Sequence, residues 1–148
     1  MQILDDKYPI TASTQNTEYF FTSTGRTLYE EVVQYTYMPC WSGYNLSFGV
    51  VEPNGNINYS IETRNGDMDK ILATVANTVV YFSSTYPNDD IITFGVDYVR
   101  HRLYRQMISK YFSDISNFYN IYGYRNDSWE KFQPNIEYEL FKITIKDN

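Results

Sequence analysis

One short segment concentrates the side chains that could do chemistry. Residues 98–111 carry Arg100, Arg102, Arg105 and Lys110 and no acid, with His101 and Tyr104 among them. Guanidinium groups hold phosphate or carboxylate through charge-assisted hydrogen bonds, and histidine or tyrosine can move a proton. The stretch contributes +4 to a chain of net charge −6, so the rest carries −10. Arg100, His101, Arg102, Tyr104 and Arg105 are therefore the candidate anion- or partner-binding residues. None is assigned a catalytic role and none a metal.

Helical geometry sorts these residues. At about 100° per residue, with Val99 at zero, Leu103, Tyr104, Met107, Ile108 and Tyr111 fall between about 40° and 180°. That arc is the predicted core face. Arg102, Arg105 and His101 fall at about 300°, 240° and 200°, on or beside the outer face, where a charged stripe is ordinarily solvated. Arg100 falls at about 100°, in the middle of the apolar arc. A guanidinium cannot shed its charge, and burying it unpaired costs several kcal/mol. It must meet a carboxylate, backbone carbonyls or a ligand, or snorkel outward. An ion pair inside the protein is the first expectation. A ligand or partner anion is the second, favoured by the free amides of a first helical turn.

Elsewhere the sequence excludes more than it offers. His101 is the single histidine and Cys40 the single cysteine, which removes His-rich or Cys-rich metal sites and any internal disulfide. Cys40, before Trp41 at a strand end, is expected to be a buried, inert thiol. Trp41 and Trp129 are expected as core residues, with interface anchors the alternative. The patterns G-x-G-x-x-G, H-E-x-x-H, G-x-S-x-G and the P-loop do not occur. Glu30 and Glu31 are neighbours in a predicted strand and point to opposite faces, so they cannot form an acid/base pair together. Asp89-Asp90 reads as a solvent-facing loop. No cofactor is expected.

Two helices and a set of hairpins must position these groups. Aromatics make up 18% of the chain, which favours strands. Glu18–Ser23 and Leu28–Met38 flank a turn at Thr24-Gly25-Arg26, a predicted hairpin. Tyr44–Val50 and Ile57–Ile61 alternate apolar with polar residues around Pro53-Asn54-Gly55-Asn56, a second hairpin. Met68, Leu72, Val75, Val79, Phe82 and Tyr86 then take helical spacing. They predict a helix over 67–86, with Asp67 as N-cap and Pro87 as stop. A short strand, Ile91–Phe94, precedes Gly95-Val96-Asp97, and Asp97 caps a second helix over about 98–112. Phe118–Tyr124, a turn at Asn126-Asp127, Trp129–Phe132 and Ile136–Ile145 complete the strands. In the last of these, Glu137 and Glu139 share a parity with Phe141 and Ile143, which suggests a bulge or a strand whose two faces swap environment partway.

The predicted fold class is α+β, a mainly antiparallel sheet of hairpins with two helices packed on one face. Leu72, Val75, Val79, Phe82, Leu103 and Met107 are predicted core. The 148 residues suit one domain, 1–148, with 1–16 as a loose lead-in rich in Thr, Ser and Gln. No apolar run reaches the roughly 20 residues of a membrane span. Met1–Ile10 carries Asp5, Asp6 and Lys7 and no apolar h-region, so no signal peptide and a cytoplasmic setting are expected. The Asn-x-Ser matches at Asn45, Asn58 and Asn126 are then chance.

Several segments together resemble one family: Tyr44–Val50, Asn65–Phe82, Thr93–Ile108, Trp129 with Phe132, and Tyr138–Ile143, with Arg100-x-Arg102-Leu103-Tyr104 the most specific part. It is an uncharacterised family of small bacterial proteins, a domain of unknown function of Bacteroidetes type. Where the family has Gly-Ser before the helix, this chain has Gly95-Val96-Asp97, which removes a hydroxyl there. The resemblance implies fold and cellular setting, not an activity.

Two classes of function follow. The first is a non-enzymatic binding or regulatory module in a stress, toxin–antitoxin or defence setting, contacting a protein partner or a second copy of itself through its many tyrosines. The second is a small enzyme or binder acting on a nucleotide or RNA phosphate through the basic helix 98–112. There Arg100, Arg102 and Arg105 would hold phosphate, and His101 or Tyr104 would move protons. The net charge of −6 disfavours long nucleic acid. A nucleic-acid mimic is a third idea that no dense acidic run supports. Whether the protein is an enzyme stays open at this level.

Overall fold

The computed structural model describes residues 3–95 and 97–146. Val96, in the Gly95-Val96-Asp97 segment before the second helix, lies outside the described residues. Nine strands and two helices form among those described: β1 (Thr11–Ala12), β2 (Glu18–Thr24), β3 (Leu28–Met38), β4 (Gly43–Val51), β5 (Ile57–Asn58), α1 (Met68–Thr85), β6 (Asp90–Thr93), α2 (Tyr98–Ile115), β7 (Tyr119–Arg125), β8 (Ser128–Lys131) and β9 (Leu140–Ile145). One sheet runs β1-β2-β3-β4-β6-β9-β7-β8, with β5 added beside the end of β4. Every pairing is antiparallel except β4 with β6, where Gly43, Tyr44 and Asn45 align with Asp90, Ile91 and Ile92.

Strand parity places both helices on one face. Val33 pairs with Phe48 and Tyr35 with Leu46, so these four share a face. From it, Tyr35 stacks on Phe82 of α1 at 4.1 Å, and Phe48 meets Tyr104 of α2 edge-on. Phe141, opposite Thr93 and Gly123, continues that face and stacks on His101 of α2. The fold is thus α+β with a largely antiparallel sheet, and the six predicted core residues are all buried.

Two strand boundaries and the lead-in differ from expectation, each for a local reason. The return strand of the second hairpin stops at Asn58, because Tyr59 and Ile61 turn away to serve the start of α2. The last strand begins at Leu140 rather than Ile136, so the shift in parity is a strand boundary and not a bulge. Tyr138 is instead folded over Gly123, where an added Cβ would lie 2.2 Å from its ring. The lead-in is anchored rather than loose. Ile3 and Tyr8 are buried, and the Tyr8 amide donates to Thr74 Oγ1 at 2.9 Å.

The two predicted N-caps behave differently. Asp97 Oδ1 accepts from the Arg100 amide at 2.9 Å, as an N-cap should. Asp67 occupies the N-cap position of α1 without capping it. Its Oδ2 accepts from the hydroxyls of Tyr8 and Ser23, both at 2.5 Å, and so ties the N-terminal segment and β2 to the head of α1. No helix among the described residues is long and apolar enough to cross a membrane.

Candidate functional site

The loop between β5 and α1 runs across the first turns of α2 and encloses a cleft. The loop is held at both ends. Asn65 donates to Ser23 Oγ and to the Thr27 carbonyl, so it is fastened to the turn of the β2–β3 hairpin. At the other end the carbonyls of Tyr59 and Ile61 accept from Arg100 Nε at 2.5 Å and Nη2 at 3.2 Å. Arg100 is 5% exposed, and its guanidinium lies 4.3 Å from the centre of the Phe48 ring.

The internal ion pair expected for Arg100 does not form among the described residues. Carbonyls satisfy part of it instead, using two of its five N–H groups. Sequence could not find these acceptors, because they exist only where β5 breaks off. Burial pulls the guanidinium's pKa down, while the charges of Tyr104, Glu31, Asp97 and Glu62 oppose that pull.

The second buried group in the cleft is Glu31. It lies on the helix-facing side of β3, between Phe21 and Val50 on the flanking strands, and is 3% exposed. Its Oε2 has no hydrogen-bond partner among the described residues. Burial, reinforced by the negative charge of Asp67, pushes its carboxyl up to about 7, although the Arg100 charge pulls the other way. Strand alternation with Val33 and Tyr35 was the signal that could have singled it out. The same alternation sends Glu30 to the opposite face.

Glu31 and Arg100 line one cavity of about 280 Å³, walled by Phe48, Ile61, Met68, Ile71, Val99 and Leu103. Glu62, Arg64, Arg102 and Gln106, all exposed, line it as well and form its mouth. A larger hollow of about 760 Å³ surrounds the start of α1, and both its lysines are paired with carboxylates that line it. There Lys110 meets Asp5 and Asp69, and Lys70 meets Asp6.

The five predicted site residues do not form one cluster. Arg100 and Arg102 reach the cleft. His101, Arg102 and Arg105 border a separate cavity of about 100 Å³ with Glu137, to which Arg105 is paired at 3.8 Å. His101 Nε2 lies 2.6 Å from the Tyr138 carbonyl, and Nδ1 lies 3.4 Å from the Gly95 amide. A carbonyl can only accept, which places a proton on Nε2. Tyr104 is 2% exposed, its oxygen accepts from the Phe48 amide at 3.1 Å, and burial pushes its hydroxyl up to about 12. Both side chains therefore have structural partners.

Two other expectations are corrected. Cys40 is exposed. Trp41 and Trp129 are not core residues, but pack edge-on with Tyr124 on the sheet face away from the helices. The short turn Pro39–Trp41 carries Cys40 past the end of β3, beyond the cover of either helix.

Comparison with curated proteins and with solved structures finds no match. The family model described as "Family of unknown function (DUF6934)" matches residues 4–146, and the chain belongs to that family.

Proposed function

We propose that the protein is a non-enzymatic binding module whose site is the Glu31–Arg100 cleft. The observation that carries this reading is a buried guanidinium and a buried carboxyl that share one cavity without pairing. Leaving a buried polar atom unsatisfied costs about 1–3 kcal/mol, more if it is charged, so such groups need an explanation. A bound group that donates to Glu31 Oε2 and accepts from Arg100 removes both costs at once.

A volume of about 280 Å³ lies just under the usual range for small-molecule sites. It suits a small molecule, or one side chain of a partner, better than a folded surface. A regulatory role in a cytoplasmic stress, toxin–antitoxin or defence setting, with a protein partner or a second copy, is the context we propose around that site. The chain's small size, acidic balance and 16 tyrosines support it.

The test is a titration of isotope-labelled protein with a fragment set covering carboxylates, amines, carboxamides and heterocycles. Amide shifts should change in 59–68, in the first two turns of α2 and around Glu31. A set that leaves all three regions unmoved overturns the reading.

A further inference from the structure

We infer that the group seated in this cleft is a guanine base, with its sugar at the mouth and its phosphate against Arg102. The inference rests on the binding-module reading above and sharpens it to a ligand class.

Start from what the floor can offer. Arg100 only donates, and three of its N–H groups have no partner among the described residues. Glu31 Oε2 is buried and has no hydrogen-bond partner among the described residues, and in its ionised form, which the Arg100 charge favours, it only accepts. A simple anion would satisfy Arg100 but would be forced against the Glu31 carboxyl. A simple cation would satisfy Glu31 but would be forced against Arg100. A ligand that serves both groups must therefore present acceptors and donors together.

Among the common bases, guanine has both in pairs. Its O6 and N7 accept from the fork of a guanidinium. Its ring N–H and amino group donate in parallel to a carboxylate, the geometry that makes bidentate contacts strong. Adenine, cytosine and uracil each offer fewer matched contacts to one of the two groups.

The rest of the cleft agrees with a flat ring. Ile61, Met68, Val99 and Leu103 wall it with apolar surface. About 280 Å³ admits one heterocycle and keeps sugar and phosphate outside. At the mouth Arg64 is paired with Glu62 at 3.5 Å, whereas Arg102 has no ion-pair partner among the described residues. An exposed, unpaired guanidinium beside a base pocket is where a phosphate would settle.

Calorimetric titration of the full chain with GMP, AMP, CMP and UMP tests this, with amide shifts locating the site. GMP should bind in the cleft at least tenfold more tightly than the other three. Glu31→Gln and Arg100→Lys should each weaken GMP at least tenfold. Because either variant could disturb folding, Arg102→Met serves as a surface change. It should weaken GMP several-fold and leave guanosine unaffected. A cleft that takes other fragments but binds the four nucleotides equally, or none of them, overturns the guanine assignment and leaves the binding module standing. GMP bound elsewhere, such as the hollow at the start of α1, overturns it too. A cleft that no fragment enters overturns both readings.

Discussion

Glu31 and Arg100 lie in one cavity, and burial leads the shift of each. Arginine stays charged wherever it is placed, so the structure supplies it with carbonyls and the face of Phe48. Glutamate can give up its charge, and burial drives it to do so near neutrality. The folded chain therefore holds the Glu31 proton more tightly than the unfolded chain. Its carboxyl titrates at about 7 when folded, against an ordinary 4.5. Between those values folding takes up a proton. The stability from this group is fully present below about 4.5 and is lost as pH rises through about 7. A shift of this size corresponds to about 3 kcal/mol. Urea midpoints of wild type and Glu31→Gln at both ends of that window check it. The wild type should lose stability relative to the variant as pH rises, and parallel curves would show that Glu31 ionises freely. At this scale Arg100 was readable from a helical wheel. Its partners were not, because no periodicity marks a carbonyl as an acceptor.

The elements were readable where a period runs long, and lost where tertiary packing sets an end. Both helices and the β2–β3 hairpin follow their patterns, and Asn126 and Asp127 take the positive φ expected of their turn. The helix α2 runs three residues beyond its expected end at 112, and Ile115 is buried there. The end of β5 and the start of β9 depend on contacts far along the chain. Tyr138 illustrates the point. Its ring covers Gly123 of β7, its hydroxyl oxygen accepts from the Gln133 amide, and it packs against Phe132 and Phe141. Only a residue without a Cβ lets the ring lie that close to the strand. Gly123→Ala should displace Tyr138 and with it the carbonyl that holds His101. Overpacking of this kind typically costs about 1–3 kcal/mol. Thermal denaturation of the variant measures it. An unchanged melting temperature would mean that the 133–139 segment adapts freely and does not brace α2.

At the scale of the molecule, strand order was hidden, because it depends on one parallel pairing. Only three residues of β4 align with β6, yet that seam joins the hairpins of the first half to β7, β8 and β9. A period of two tells that a strand exists and which side it buries, not which strand lies beside it. The helices reinforce the seam. The α1 helix stacks Phe82 on Tyr35 of β3, and its Ser83 is hydrogen-bonded to Tyr119 of β7 at 2.6 Å. The α2 helix packs Tyr104 on Phe48 of β4 and His101 on Phe141 of β9. Each helix therefore bridges both halves of the sheet, and the 148 residues should unfold as one unit. Two probes separate the alternatives. Far-ultraviolet circular dichroism follows the helices. Tryptophan fluorescence follows Trp41 and Trp129, which lie on the opposite side of the sheet. In urea both should give the same midpoint. Leu72→Ala, which opens a cavity beneath α1, should cost about 2–5 kcal/mol and move both midpoints together. A fluorescence transition that stays in place while the dichroism transition shifts would mean that the sheet face carrying the two tryptophans unfolds apart from the helices.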